Sequence, residues 1–135
     1  MIRAVYGEKG SGKTRALVEH ANKMADQHYG CIAFIDSGNE LIYDLKHGIR
    51  LINISEFPVD SEERFIGFIY GMIAQNYDLK WILINRITHI LKKDAKDLEG
   101  FFLKLKEISN KYGVEFDISV SGSKENMPEF LNVYI

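Results

Sequence analysis

The sequence predicts an α/β fold in which helices cover both faces of one mostly parallel sheet. Short apolar runs alternate with longer segments of helical periodicity, which indicates βαβ units. Right-handed crossovers between parallel strands then place helices on both faces. The runs CIAFI and WILI are apolar throughout, as strands covered on both faces are. The length of 135 residues predicts one domain spanning residues 1–135.

The first half of the chain supplies three predicted strands and one helix. The strands are the apolar segments Met1–Tyr6, Cys31–Asp36 and Ile49–Ile54. A helix is predicted from Lys13 to about His28, because apolar residues recur there at helical spacing. Gly30 ends this helix, and SGNE after the second strand is a turn.

The second half supplies two helices and three strands. Asp60 or Ser61 can cap a helix that runs to about Asn76. A long amphipathic helix is predicted over Asp94–Tyr112 and is ended by Gly113. The predicted strands are ILIN at 82–85, VEFDISVS at 114–121 and LNVYI at 131–135.

Two segments have unusual patterns. VEFDISVS alternates apolar with polar residues, which favours a half-covered or edge strand and gives Asp117 no evident reason to lie in a central strand. The helical segment Phe65–Ile73 is apolar nearly all the way round, so it is buried on more than one side. It either packs between the sheet and neighbouring loops or forms a subunit interface.

Composition and charge exclude several classes of protein. A hydrophobic fraction of 46% with 27% charged residues argues against disorder, and a net charge of −2 argues against nucleic acid and anionic lipid as partners. A single cysteine, Cys31, makes no internal disulfide and fits a reducing compartment. No apolar run approaches the ~20 residues of a membrane span. No signal peptide is visible either, so we expect a cytoplasmic protein without a membrane partner.

The strongest motif is GEKGSGKT, Gly7–Thr14, which matches the Walker A pattern G-x-x-x-x-G-K-[ST] between a strand and a helix. In this pattern backbone N–H groups and the helix dipole hold phosphates, and glycines allow their close approach. Lys13 reaches the β- and γ-phosphates, and the Thr14 hydroxyl ligates magnesium. The motif predicts a P-loop NTPase-type fold. The predicted cofactor-binding residues are Gly7, Lys9, Gly10, Ser11, Gly12, Lys13, Thr14 and Arg15.

The acid that usually accompanies this loop is missing. Hydrolysing P-loop proteins end a second apolar strand on an aspartate near the magnesium, whereas ILIN ends on Asn85. An amide keeps the hydrogen-bonding shape and loses the charge. Asp36 ends the second strand, at the edge of the sheet where ligands bind. It is the first candidate for a metal ligand and, together with Lys13, for a catalytic role. Its alternative role is to form a turn with Ser37 and Gly38.

Two enzyme classes fit less well. ILINRIT and VSGSK are similar to the guanine-selecting elements of GTPases, but Arg86 and Thr88 replace the residues that would contact the base. A D-x-x-G element is also missing. A nucleotide kinase would need arginines on a mobile lid, and no lid insertion is evident around Arg50, Arg64 or Arg86.

The chain resembles a family of short bacterial P-loop proteins, often labelled ATP-binding or twitching-motility ATPase proteins. The matching segments are VYGEKGSGKT, FIDSGNELIYDLKHGIR, SEERFIGFIYGMIAQNYD and ILINRI followed by a long helix and ISVS. The resemblance covers nearly the whole chain and implies a compact domain that binds ATP. Relatives carry aspartate at the position of Asn85 and glycine at that of Arg86. These departures bear on hydrolysis more than on binding.

Together these observations predict a protein that binds ATP with Mg²⁺, hydrolyses it weakly or not at all, and acts as a nucleotide-dependent switch or regulatory subunit. One alternative is a competent small ATPase or nucleotide kinase that uses Asp36 as its acid. Another is a structural protein whose Phe65–Ile73 helix binds a partner or a second copy of the chain.

Overall fold

Five parallel strands form one sheet in the computed structural model, which describes residues 1–27 and 30–135. The order across the sheet is β1-β5-β4-β2-β3, and every neighbouring pair is parallel. The strands are β1 Ile2–Gly7, β2 Cys31–Asp36, β3 Ile49–Asn53, β4 Leu79–Ile84 and β5 Glu115–Ser121. The predicted α/β fold with a parallel sheet is confirmed.

Helices cover both faces of this sheet. They are α1 Lys13–Asp26, α2 Glu62–Gln75, α3 Ile87–Leu91 and α4 Glu99–Tyr112. Side chains alternate across a strand, so Ile32 and Phe34 of β2 pack in one apolar cluster with α1, while Ala33 and Ile35 pack in the other with α2, α3 and α4. The predicted three-layer arrangement is therefore present. None of the helices in the described residues is long and apolar enough to cross a bilayer.

The predicted helices differ from the observed ones mainly at their starts. Ser61, one of the two predicted caps, accepts a hydrogen bond from the Arg64 amide at 3.2 Å and begins α2. The helix predicted from Asp94 begins at Glu99 instead, after a short 3-10 turn at 95–97. No pattern in the sequence predicts α3, because five residues are too few for a helical period. The predicted end of the first helix, His28, lies outside the described residues.

Strand β5 contradicts the prediction of a half-covered or edge strand. It lies between β1 and β4, and residues 116–120 are all buried. Asp117, which is 0% exposed, accepts a hydrogen bond from Arg3 Nη2 at 3.1 Å and contacts His20 Nδ1. The polar residue is accommodated because two basic side chains cover it, since a buried charge requires a partner. His20 also packs edge-on against Trp81, with ring centroids 5.0 Å apart.

The predicted last strand at 131–135 is also wrong. Glu129–Val133 form a 3-10 helix beside β1, and the carbonyl of Tyr134 accepts a hydrogen bond from the Ala4 amide at 2.8 Å. Phe102 of α4 packs against Phe130 and Tyr134, with ring centroids 5.7 Å and 5.0 Å away. This segment therefore covers part of the β1 edge, where strand amides would otherwise lack partners.

The apolar segment Phe65–Ile73 lies in α2 and packs on the sheet. Phe65 and Ile69 are both 0% exposed, whereas Gly67 and Gly71 face outward. Beside α2 and β3 lies a groove of about 560 Å³ whose lining includes Cys31, Phe68 and Met72. The helix thus packs on the sheet, as the first of the two interpretations predicts. A subunit interface through this helix stays a prediction.

Replacing Phe102 with alanine tests the contact between α4 and the C-terminal segment. We expect Phe102→Ala to lower the free energy of unfolding by about 3–5 kcal/mol, because it removes a fully buried aromatic ring. The neighbouring Leu103 is 55% exposed, so Leu103→Ala is the matched control and should cost less than about 0.5 kcal/mol. Urea unfolding measures both. Equal losses would show that the segment does not pack as described.

Candidate functional site

The glycine-rich loop of residues 7–14 connects β1 to α1 at the carboxyl edge of the sheet. Gly10 and Gly12 have φ angles of 84° and 94°, which glycine adopts freely and other residues rarely adopt. A Cβ atom on Gly7 would lie 2.5 Å from Ser11 Oγ, so a side chain there would force the Ser11 hydroxyl to move. The Ser11 amide donates to the Glu8 carbonyl at 3.1 Å and closes the turn.

The loop leads directly into the amino end of α1. Gly12 is the residue before the helix, and no side chain caps the first turn. The first amides of a helix have no intrahelical acceptor and carry a partial positive charge. No acidic residue lies in this first turn. The local backbone therefore favours an anion.

Lys13 adds a full positive charge to the same place. Its side chain is 7% exposed, and its Nζ donates to the Glu8 carbonyl at 2.8 Å. No carboxylate in residues 1–27 and 30–135 forms a salt bridge with it. Burial lowers the pKa of the Lys13 ammonium from its ordinary value, because the charged form is partly desolvated. An anion beside this ammonium would offset that cost.

A pocket of about 320 Å³ opens over the loop. Its lining residues are Lys9, Gly10, Gly12, Lys13, Thr14, Arg15, Arg86 and Ser121. Six of the eight predicted cofactor-binding residues thus line one pocket, while Gly7 and Ser11 meet at the base of the loop. Sequence reasoning did not include Arg86 or Ser121. The lining carries four basic side chains and no acidic one.

Asn85 joins the loop to the ends of three strands. Its Oδ1 accepts hydrogen bonds from Thr14 Oγ1 at 3.2 Å and from Ser119 Oγ at 2.8 Å. Its Nδ2 donates to Asp36 Oδ1 at 3.3 Å. Asn85 is 1% exposed and Asp36 is 2% exposed. An amide satisfies this position because it both donates and accepts, whereas an ionised carboxylate only accepts.

Asp36 is neutralised by Arg86. Its Oδ1 accepts hydrogen bonds from Arg86 Nη2 at 2.8 Å and Nε at 3.3 Å. The same oxygen accepts from the Ser37 amide at 2.8 Å, so the carboxylate also supports the turn after β2.

These residues, as arranged, fit magnesium poorly. Asp36 does not line the loop pocket and already carries a positive partner, and the Thr14 hydroxyl is bound to Asn85. Magnesium binds through carboxylate and hydroxyl oxygens that are free to face it. The described part of the chain also contains no group of three or more His, Cys, Asp and Glu residues that could hold a metal.

Arg86 has an unusual backbone conformation. Its φ and ψ are 57° and 53°, in the left-handed region, which costs a residue with a side chain about 1 kcal/mol. Its amide donates to Ser119 Oγ at 2.7 Å, and its carbonyl accepts from the amides of His89 and Ile90 at 3.0 Å each. The backbone is therefore fixed on both sides. The glycine that the family resemblance implies at this position would carry no such strain.

Comparison with known proteins supports the fold and nothing finer. No protein-family model and no curated protein matches the sequence. Among solved structures, the flagellar accessory protein FlaH from Methanocaldococcus jannaschii is similar, with a TM-score of 0.60 and 14% identical residues. The alignment covers 96% of this chain and 64% of that one, so this chain spans under two thirds of FlaH. No sequence match supports the bacterial family expected above.

Replacing Asn85 tests whether its amide holds this edge of the sheet together. We expect Asn85→Ala to lower the free energy of unfolding by about 1–3 kcal/mol, because buried groups of Asp36 and Ser119 lose a partner. Asn132 is exposed, so Asn132→Ala serves as the control and should change little. Chemical denaturation measures both. A neutral result for Asn85→Ala would remove the amide from its structural role.

Proposed function

We propose that the chain is a P-loop protein that binds a nucleoside triphosphate, ATP first, through the loop of residues 7–14. The observation that carries this proposal is the geometry of the loop. Left-handed glycines at 10 and 12 precede an uncapped helix start, and beside them lies a buried lysine that pairs with no carboxylate among the described residues. Phosphate oxygens are the acceptors that such amides and ammonium groups favour.

The surroundings of the loop pocket have room for a nucleoside. A pocket of about 540 Å³ shares Ser121 with the loop pocket, and its lining also includes Tyr6 and Asn126. Another of about 390 Å³ shares Thr14 and Arg15 with it. A triphosphate in the loop pocket therefore leaves space beside it for the sugar and base. ATP is the first choice because the family resemblance implies it.

The same site supports slow hydrolysis or none. Enzymes of this class use a carboxylate to orient a metal and the attacking water. Asn85 is neutral, and Asp36 is paired with Arg86 outside the pocket. Binding without turnover suits a nucleotide-dependent switch or regulatory subunit. Magnesium stays the expected companion of the triphosphate in solution, although the residues present fit it poorly.

Two alternatives depend on other features. A competent ATPase or nucleotide kinase requires Asp36 to leave Arg86 and face the phosphates. A partner-binding role would use the groove beside α2, where Phe68 and Met72 are half-buried. The first alternative predicts rapid turnover, and the second predicts self-association or partner binding that is independent of nucleotide.

Nucleotide binding should stabilise the fold. At a concentration of about 100 times Kd, ATP adds about 2.7 kcal/mol to the free energy of unfolding, which raises Tm by several degrees. We expect Lys13→Ala to abolish the rise, because the buried ammonium is lost. Lys23→Ala is the matched control, since Lys23 is exposed on the same helix. Differential scanning fluorimetry checks this. No rise in Tm at millimolar ATP would contradict the proposal.

Restoring a carboxylate at position 85 should increase turnover. We expect Asn85→Asp to release phosphate from Mg-ATP faster than the natural chain, because it returns a negative charge beside Thr14. The variant also brings a second carboxylate to about the 3.3 Å that now separates Asn85 from Asp36, so without metal it should be less stable. A phosphate-release assay measures turnover. Rapid turnover of the natural chain that Asp36→Ala eliminates would instead favour the enzyme alternative.

A further inference from the structure

We infer that Arg86 contacts the terminal phosphate of the bound triphosphate, and that its guanidinium, released from Asp36, supplies the positive charge there in place of a metal. The inference rests on the proposed function and names the residue that distinguishes a triphosphate from a diphosphate.

The side chain of Arg86 reaches the loop pocket. It lines the loop pocket together with Lys9 and Lys13, and it is 41% exposed. A guanidinium has five N–H donors, and in the described chain only those on Nε and Nη2 have an acceptor, which is Asp36. The side chain therefore reaches the pocket with donors still available for a second acceptor.

Arg86 also faces the end of the site that the terminal phosphate of a triphosphate would occupy. In a loop of this pattern the amides hold the inner phosphates, and the Ser or Thr hydroxyl lies at the metal end, near the terminal phosphates. Thr14 Oγ1 is 3.2 Å from Asn85 Oδ1, and Arg86 is the next residue. The guanidinium donates to Asp36 Oδ1 at 2.8 Å, the same oxygen that accepts from Asn85 Nδ2 at 3.3 Å, so it lies beside the Asn85–Thr14 pair, on the side where the terminal phosphate of a triphosphate would be.

The backbone of Arg86 is fixed and strained. Ser119 and the first turn of α3 hold it in the left-handed conformation, where glycine would be unstrained. Strain of this kind is frequent at functional sites, and of the two described residues with a side chain and a positive φ, Arg86 lines the loop pocket and Lys92 does not.

Asp36 keeps two other hydrogen-bond donors when Arg86 leaves it. Its Oδ1 keeps the hydrogen bonds from the Ser37 amide and from Asn85 Nδ2. A terminal phosphate carries more negative charge than a carboxylate and accepts the guanidinium in bidentate fashion. A triphosphate can therefore take Arg86 from Asp36, whereas a diphosphate ends before it reaches the guanidinium.

Asp36 then acts as a competitor for Arg86, which is the opposite of a metal ligand. If Asp36 holds a metal, removing its charge weakens ATP binding. If Asp36 only retains Arg86, removing its charge frees the guanidinium and strengthens ATP binding. The two roles thus predict effects of opposite sign for Asp36→Asn, a substitution that keeps the shape of the side chain.

Titration calorimetry of the full chain with ATP and with ADP, each in EDTA and in magnesium, tests the inference. The variants are Arg86→Gly, Asp36→Asn and the control Lys92→Gly. Lys92 also has a positive φ, of 54°, but does not line the loop pocket, so its glycine variant relieves the same kind of strain away from the site. Glycine suits both backbones, and urea unfolding of each variant checks that the chain stays folded when Arg86→Gly removes the charged partner of the buried Asp36.

We expect the natural chain to bind ATP in EDTA within about threefold of its affinity in magnesium. Arg86→Gly should reduce the preference for ATP over ADP by about tenfold or more, because a charge-assisted contact is lost. Lys92→Gly should leave that preference unchanged, and Asp36→Asn should bind ATP more tightly in EDTA.

Three results would overturn the inference. The first is ATP binding that requires magnesium, and the second is an ATP preference that Arg86→Gly does not reduce. The third is weaker ATP binding by Asp36→Asn in EDTA. Each of these leaves the proposed function in place. Failure of both nucleotides to bind in either buffer would overturn the proposed function as well.

Discussion

The hydrogen bonds of one buried amide determine how the candidate site is arranged. Asn85 follows β4 and contacts Thr14 of the loop, Ser119 of β5 and Asp36 of β2. Its oxygen accepts two hydroxyl protons while its nitrogen donates to a carboxylate, so it needs both halves of the amide. Parallel strands end at one edge of the sheet, and this amide joins those ends to the start of α1.

The electrostatic character of the site follows from that arrangement. Because position 85 is neutral and Asp36 is paired with Arg86, the charged side chains that line the loop pocket in the described chain are all basic. Such a balance of charge favours an anion over a metal cation. Asn85 and Arg86, the two positions that differ from the pattern that the family resemblance implies, therefore belong together. Asparagine at position 85 removes an acid, and arginine at position 86 adds a positive charge that neutralises Asp36.

The sequence predicted those features whose cause is local. Glycines at 10 and 12 are required by the loop conformation, and the apolar strands follow from burial on both faces. Prediction from the sequence was wrong where contacts between residues far apart in the chain determine the local structure. Asp117 lies in a central strand because Arg3 and His20, far away in sequence, cover it. The C-terminal segment forms a 3-10 helix at Glu129–Val133 in place of the predicted strand, because Tyr134 packs on Phe102 and its carbonyl bonds the edge of β1. Arg86 was missed as a site residue because its role depends on Asp36, fifty positions earlier.

The edge-on contact between His20 and Trp81 has a practical consequence for optical work. The chain contains one tryptophan, which packs against α1, the helix that begins at Lys13. Indole emission responds to the polarity and motion of whatever surrounds the ring. A small displacement of α1 would therefore alter the intrinsic fluorescence of the whole molecule. The protein carries its own spectroscopic probe of the helix behind the loop, and no dye or label has to be attached.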